Sequence, residues 1–200
     1  VPERKPFDIE ELMNEVASLI EGQLSETGIV YHAYQENLSH VHLLGSPLHL
    51  RQILLNILSN AIKYNKPNGT IDVYTREASA DEKTVVYEFK ITDSGVGMSE
   101  DFVKNRLFEP FSQEKTDART HYMGTGLGMS IVKEMVAKMN GTIQVQSRVG
   151  VGTTFVVTIP FELDVQASQV KNTQNGSAAI GNQTEMYSED GAETENLEKN

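Results

Sequence analysis

The sequence predicts an α+β fold, a sandwich in which helices cover one face of a sheet. Two observations carry this reading. Apolar residues recur at helical spacing in two long stretches, Ile9–Ile20 and Leu50–Ile62. Between and after them lie several short strand-like runs that follow one another as hairpins do, such as TVVYEFKITD at 84–93 and GTTFVVTIPFEL at 152–163. Helices together with sequential strands give a sheet layered against helices.

The elements follow in order. Asp8 and Glu11 form a capping box ahead of Ile9, Leu12, Val16, Leu19 and Ile20, so a helix starts there. GIVYHAY (28–34) and HVHLLG (40–45) are strand candidates. Ser46 is placed to cap the next helix, with Pro47 at its first position. GTIDVYT (69–75) and TVVYEFKITD are strands, and SEDFVKNRLF (99–108) is a short helix capped by Ser99. SQEKTDARTHYM (112–123) is a polar loop. A helix from Gly126 to Met139 follows, closed by Asn140-Gly141. TIQVQS (142–147) and the run from Gly152 end the ordered part as strands.

Composition narrows the function. The chain has 200 residues with 38% hydrophobic content, enough for one modest core. A net charge of −11 argues against a general nucleic-acid binder, which needs a basic face. The absence of cysteine excludes disulfides and thiolate-bound metals. No apolar run reaches the ~18–20 residues that span a bilayer. The opening VPERKPF carries no signal-type apolar segment and reads as a cut from a longer chain, so that any membrane anchor lies outside it. Two domains of unequal kind are expected: an ordered domain over 1–164, and a tail over 165–200. The tail has six acids, two lysines and no apolar period, and reads as a disordered terminus or a linker.

Four constellations bear on chemistry. Asn56 and Asn60 lie four apart at one border of the apolar stripe of their helix, with Lys63 and Tyr64 one turn on. Carboxamide oxygens suit a hard cation that shares nucleotide phosphates, and a lysine can meet phosphate; boundary polar residues would look the same. ITDSGVGMS delivers Asp93 at a strand end beside Gly95 and Gly97. A carboxylate there can accept from a purine amine while glycines admit a flat base, although Asp-Ser-Gly is also common turn chemistry. The run Gly124-Thr125-Gly126-Leu127-Gly128 precedes a helix but lacks the strand before it that a dinucleotide fingerprint needs, and the Gly-Lys-Ser/Thr of a P-loop. What remains is an anion site at a helix start. Finally Thr153 and Thr154 open a strand after Gly150 and Gly152, where a hydroxyl could support Asp93; β-branched residues also simply favour strands.

In this order the segments LLNILSNAIKY, DSGVGM, FEPFSQ and GTGLGMSIVKEMVAKMNG resemble the N, G1, F and G2 boxes of sensor histidine kinases, and GVGTTFVVTIP resembles the closing segment of the same domain. The resemblance spans about residues 7–163. It implies the catalytic and ATP-binding domain, with the Bergerat fold: a two-layer sandwich of a mixed sheet under helices. It further implies ATP and Mg²⁺ as ligands. Asn60 would hold the metal with Asn56 beside it, Lys63 would face phosphate, and Tyr64 would lie near adenine or ribose. Asp93 would take the adenine amine, with Gly95 and Gly97 beneath the base and Thr154 assisting through water. Gly124 to Gly128, Thr125 and Leu127 included, would meet the phosphates. Residues Phe108 to Met123 would form a lid on which Lys115, Arg119 and His121 are either phosphate contacts or solvated charges.

One departure matters. Related ATPases carry a glutamate four residues before the metal asparagine, whereas this sequence has Asn56, and an amide is no general base. The implied reaction is therefore transfer of the γ-phosphoryl to another nucleophile, with Asn56, Asn60 and Lys63 as the catalytic set. None of the five histidines stands in the helical His-Glu/Asp-x-Arg context of a phosphoacceptor. The acceptor is expected on a separate dimerisation domain of the same protein, with a response regulator or a fused receiver downstream, no nucleic-acid partner and no membrane contact by this segment. A cytoplasmic setting follows, with anchoring in the inner membrane left to the longer protein. The alternatives are a nucleotide-gated interaction module that transfers nothing, and a Bergerat-type ATPase or serine-directed kinase.

Overall fold

The computed structural model describes residues 3–36, 38–114 and 126–167. Contacts separate Val1–Val165 from Gln166–Asn200, and every element named here belongs to the first unit. Of the tail expected from 165 onward, all but residues 165–167 falls outside the described residues.

The elements in chain order are β1 (Lys5–Asp8), α1 (Ile9–Ser25), β2 (Val30–Glu36), β3 (His42–Gly45), α2 (Pro47–Lys63), β4 (Thr70–Ala80), β5 (Thr84–Asp93), α3 (Glu100–Asn105), α4 (Gly128–Lys138), β6 (Thr142–Arg148) and β7 (Gly152–Leu163). The caps read from the sequence form: Asp8 accepts the Glu10 and Glu11 amides, Ser46 that of His49, and Ser99 that of Phe102.

The seven strands make one sheet in the order β1-β3-β7-β5-β4-β2, with β6 alongside the first half of β7. All pairs are antiparallel except β2 with β4. That pair can be parallel because the chain returns between them through α2, so the sheet is mixed. Alternation sets the core face. Tyr87, Phe89 and Ile91 of β5 stand opposite Ile159, Val157 and Phe155 of β7, and all are buried. Onto this face pack Ile9, Leu12, Val16 and Ile20 of α1, seven residues of α2 from Leu50 to Ile62, and Met129, Val132 and Val136 of α4. The architecture is thus the expected α+β sandwich, a mixed sheet with helices on one face.

Besides shifted strand ends, such as β4 running on to Ala80, these details depart from the sequence reading. β1 was not foreseen: it is four residues long and contains Pro6, which a sheet tolerates at its edge. α3 stops at Asn105 rather than at Phe108, because the amides of Arg106 and Leu107 both turn back to the Phe102 carbonyl. α4 begins at Gly128, not Gly126, since Gly126 has φ +70. At its other end Asn140 takes the left-handed conformation (φ 55), and the Gly141 amide donates to the Val136 carbonyl at 2.9 Å.

Candidate nucleotide site

A cleft of about 240 Å³ opens between the C-terminal end of α2, the loop after β5, α3 and the start of α4, with β7 beneath it. The apolar stripe of α2, anchored by Leu50, Ile53, Leu54, Ile57 and Leu58 at 0% exposure, fixes which side chains border it. Asn60, Lys63 and Tyr64 line the cleft. The Lys63 ammonium lies 4.9 Å from the Tyr64 ring centroid, over its face. Asn56, one turn earlier, is not among the lining residues, and its Oδ1 accepts from the Gln52 side chain at 3.3 Å.

Asp93 ends β5 and enters the cleft. Its Oδ1 accepts the Gly95 amide at 2.8 Å, an Asx turn that orients the carboxylate. Gly95 itself is not part of the lining; it is pressed against the Tyr64 carbonyl, and the neighbouring Val96 amide donates to that carbonyl at 3.0 Å. Gly97 does line the cleft. It has φ +66 and a Cβ there would collide with the Arg148 carbonyl, so any side chain is doubly excluded.

A buried hub ties α2 to this loop. Asn65, 6% exposed, donates to the Thr70 carbonyl at 3.1 Å and accepts the Lys66 amide at 2.9 Å and the Ser94 hydroxyl at 3.2 Å. Ser94 Oγ in turn accepts the Thr70 amide at 2.8 Å. These bonds hold Asn60 and Asp93 in fixed relation, and the sequence reading did not single out Asn65 or Ser94. No sequence signal marked them, because a buried polar pair 29 positions apart is visible only once the chain is folded.

At the start of α4, Gly126 and Gly128 line the cleft, whereas Leu127 is the cap residue and does not. Gly126 packs against the Phe111 and Ser112 backbone. Among the described residues no side chain caps α4, and a helix start that borders the cleft is suited to phosphate. Gly124, Thr125, Lys115, Arg119 and His121 lie outside the described residues.

The threonines require a correction. Thr153, not Thr154, lines the cleft, 6% exposed and directly opposite Asp93. Thr154 points through the other face of the sheet, where its hydroxyl meets that of Thr92 at 3.1 Å. Successive strand residues face opposite ways, so one position changes the face. The apolar walls Met98, Phe102, Leu107, Met129 and Phe155 also escaped the sequence reading, having no signal beyond hydrophobicity. Among the described residues no three His, Asp or Glu cluster as a metal cage. A divalent cation would need oxygen from Asn60 together with ligand oxygens and water, a set that fits Mg²⁺.

A two-layer sandwich whose cleft joins a helix asparagine, a strand-end aspartate and a glycine-flanked helix start has the make-up of a nucleotide-binding fold. The chain belongs to the family of histidine kinase-, DNA gyrase B- and HSP90-like ATPases, whose model matches residues 45–163. Within that family it corresponds to the catalytic domain of two-component sensor kinases. It is 35% identical over 158 residues to the circadian input-output histidine kinase CikA of Synechococcus elongatus, covering 78% of this chain and 20% of the relative. It is 32% identical over 172 residues to hybrid signal transduction histidine kinase B of Dictyostelium discoideum, covering 86% and 9%. The chain therefore spans a fifth or less of these curated relatives. Full-length histidine kinase ShkA, solved with AMPPNP, superposes with a TM-score of 0.67 at 31% identity, over 82% of this chain and 32% of that one. The nucleotide-free catalytic domain of histidine kinase ThkA gives 0.65 at 26% identity, over 79% and 95%.

Proposed function

We propose that the cleft binds ATP with Mg²⁺ and presents the γ-phosphoryl to a histidine on a separate dimerisation domain. The observation that carries this is the convergence in one cleft of Asn60, Lys63, Asp93 and, at the start of α4, Gly126 and Gly128. Asp93 accepts from the exocyclic amine of adenine, Tyr64 borders the base or ribose, and Gly97 leaves room beneath. Asn60 supplies an oxygen to Mg²⁺, and Lys63 and the first-turn amides of α4 neutralise phosphate charge. Gly124 and Thr125, which precede Gly126 in the sequence, are further candidate phosphate contacts by the family resemblance alone. Asn56, beside Asn60 on the helix, offers an amide where a hydrolytic enzyme needs a base, so water is not activated. The domain's share of the reaction is positioning and charge neutralisation for in-line transfer, as elsewhere in phosphoryl transfer.

The acceptor histidine comes from another part of the same protein, and the phosphoryl then passes to a response regulator or a fused receiver. No described helix is long and apolar enough to cross a membrane, and ATP chemistry sets the domain on the cytoplasmic side of any anchor.

Replacing Asp93 with Asn is the direct test. The expected outcome in a calorimetric titration is a loss of ATP affinity of about tenfold or more, with the melting temperature changed by only a few degrees. An unchanged affinity would remove the adenine assignment.

A further inference from the structure

Ser147, Thr153 and Asp93 stand in one row across β6, β7 and β5. Ser147 Oγ lies 2.8 Å from Thr153 Oγ1, 2.8 Å from the Met98 amide nitrogen and 3.1 Å from the Gly152 carbonyl. A hydroxyl has one proton to give and two lone pairs to receive with. The Met98 N–H takes one lone pair. The Gly152 carbonyl can only accept, so the Ser147 proton goes to it. The second lone pair of Ser147 then receives the Thr153 proton. Thr153 is left with its lone pairs toward the cleft and no proton to offer. It is 6% exposed, so bulk water cannot easily reorient it. Beside it the Asp93 carboxylate, already oriented by the Gly95 amide, is also an acceptor. This part of the cleft floor thus offers two adjacent acceptors.

We propose that Ser147 is a positioning residue that makes the cleft selective for 6-amino over 6-oxo purines by holding the Thr153 hydroxyl as an acceptor. The inference rests on the reading of the cleft as an ATP site. A 6-amino purine brings two N–H donors to this floor. A 6-oxo purine sets carbonyl lone pairs against acceptors and leaves buried polar groups unmatched, which costs affinity. Ser147 does not touch the base; it acts through Thr153. Its bond to the Met98 amide also steadies the loop that carries Gly97.

The test compares ATP with inosine triphosphate, which carries a 6-oxo group, on the 200-residue chain by calorimetry. The wild type is expected to prefer ATP. Ser147→Ala frees the Thr153 proton to rotate toward the ligand, so the ATP-to-inosine triphosphate affinity ratio should fall about fivefold. Thr153→Val removes the acceptor and should lower the ratio as well. Adding Ser147→Ala to Thr153→Val should then change it by less than about twofold, because the route through Thr153 is gone. A Ser147→Ala protein that melts earlier but keeps the wild-type ratio overturns the proposal, since Ser147 would then be structural only. If Ser147→Ala does not fold, an unchanged ratio in Thr153→Val overturns it equally. A wild type that binds ATP with no preference refutes the inference alone. A wild type that binds no ATP refutes the reading of the cleft and the inference with it.

Discussion

Asn60 is held on the last full turn of α2, at the cleft edge of a helix whose opposite side is fully buried. In the proposed site its amide oxygen would be a weak ligand by itself. Mg²⁺ prefers six oxygens and keeps several waters, so one amide oxygen matters only when phosphates complete the shell. Nucleotide and metal should therefore bind cooperatively through Asn60. The Asn60→Ala protein is expected to bind ATP with the same affinity in Mg²⁺ as in chelator, whereas the wild type binds more tightly in Mg²⁺; paired titrations read the difference. A preserved metal effect would move the ligand elsewhere. Asn56 and Asn60 look alike in sequence because four residues bring them to one helix border. Packing separates them: Asn60 reaches the cleft, and Asn56 is engaged by Gln52 one turn earlier.

Short elements make the walls. α3 has six residues, too few to be stable alone, and depends on its cap and on Phe102, which is 5% exposed. Ser99 Oγ accepts the Phe102 amide at 3.2 Å, and the Ser99 amide donates to Glu114 at 3.1 Å, joining α3 to the segment that leads toward the expected lid. Ser99→Ala should cost about 1 kcal/mol, or roughly 3 °C of melting temperature, together with a measurable loss of ATP affinity as Phe102 and Leu107 loosen. A thermal melt with and without ATP checks both. At this scale the sequence was most informative for long periodic elements. α1, α2 and β5 were legible from their apolar periods and caps, because burial of one face demands that pattern. β1 was not, since four residues with a proline carry too little alternation. The parallel pairing of β2 was hidden because pairing depends on where α2 returns the chain. Thr153 and Thr154 were indistinguishable because strand parity is set by register with β5, not by residue type. Asn65 and Ser94 stayed silent because their partnership spans 29 positions.

Across the whole molecule, stability has a titratable component remote from the cleft. Glu77 sits at a bulge of β4, its side chain 9% exposed. It accepts the His40 amide at 2.6 Å and pairs with His40 Nδ1 at 2.9 Å, while the Tyr87 hydroxyl lies 3.3 Å away and donates to the His40 carbonyl. Burial pushes the Glu77 carboxyl up, but the bonds from the His40 side chain and backbone outweigh it and hold the group below its ordinary value of 4.5. Burial likewise pushes the Tyr87 hydroxyl up, so it stays protonated. A carboxyl depressed in the folded state is protonated first in the unfolded chain. Its contribution is complete above the ordinary carboxylate range and is lost as pH falls through the folded value. Thermal melts from about pH 6 to about pH 3 should show Glu77→Gln less stable than wild type at the upper end, with the gap narrowing as the acid end is approached. A constant gap would mean that the charge of Glu77 contributes nothing.

The central proposal is that this domain holds ATP for a nucleophile other than water. It is tested most directly by mixing the chain with a helical phosphoacceptor domain supplied in trans and ATP labelled at the γ-phosphate. The expected result is acid-labile label on a histidine of the partner domain, with little labelled inorganic phosphate. Rapid release of labelled phosphate with an unlabelled partner would contradict it, and would identify the chain as a hydrolytic ATPase despite Asn56.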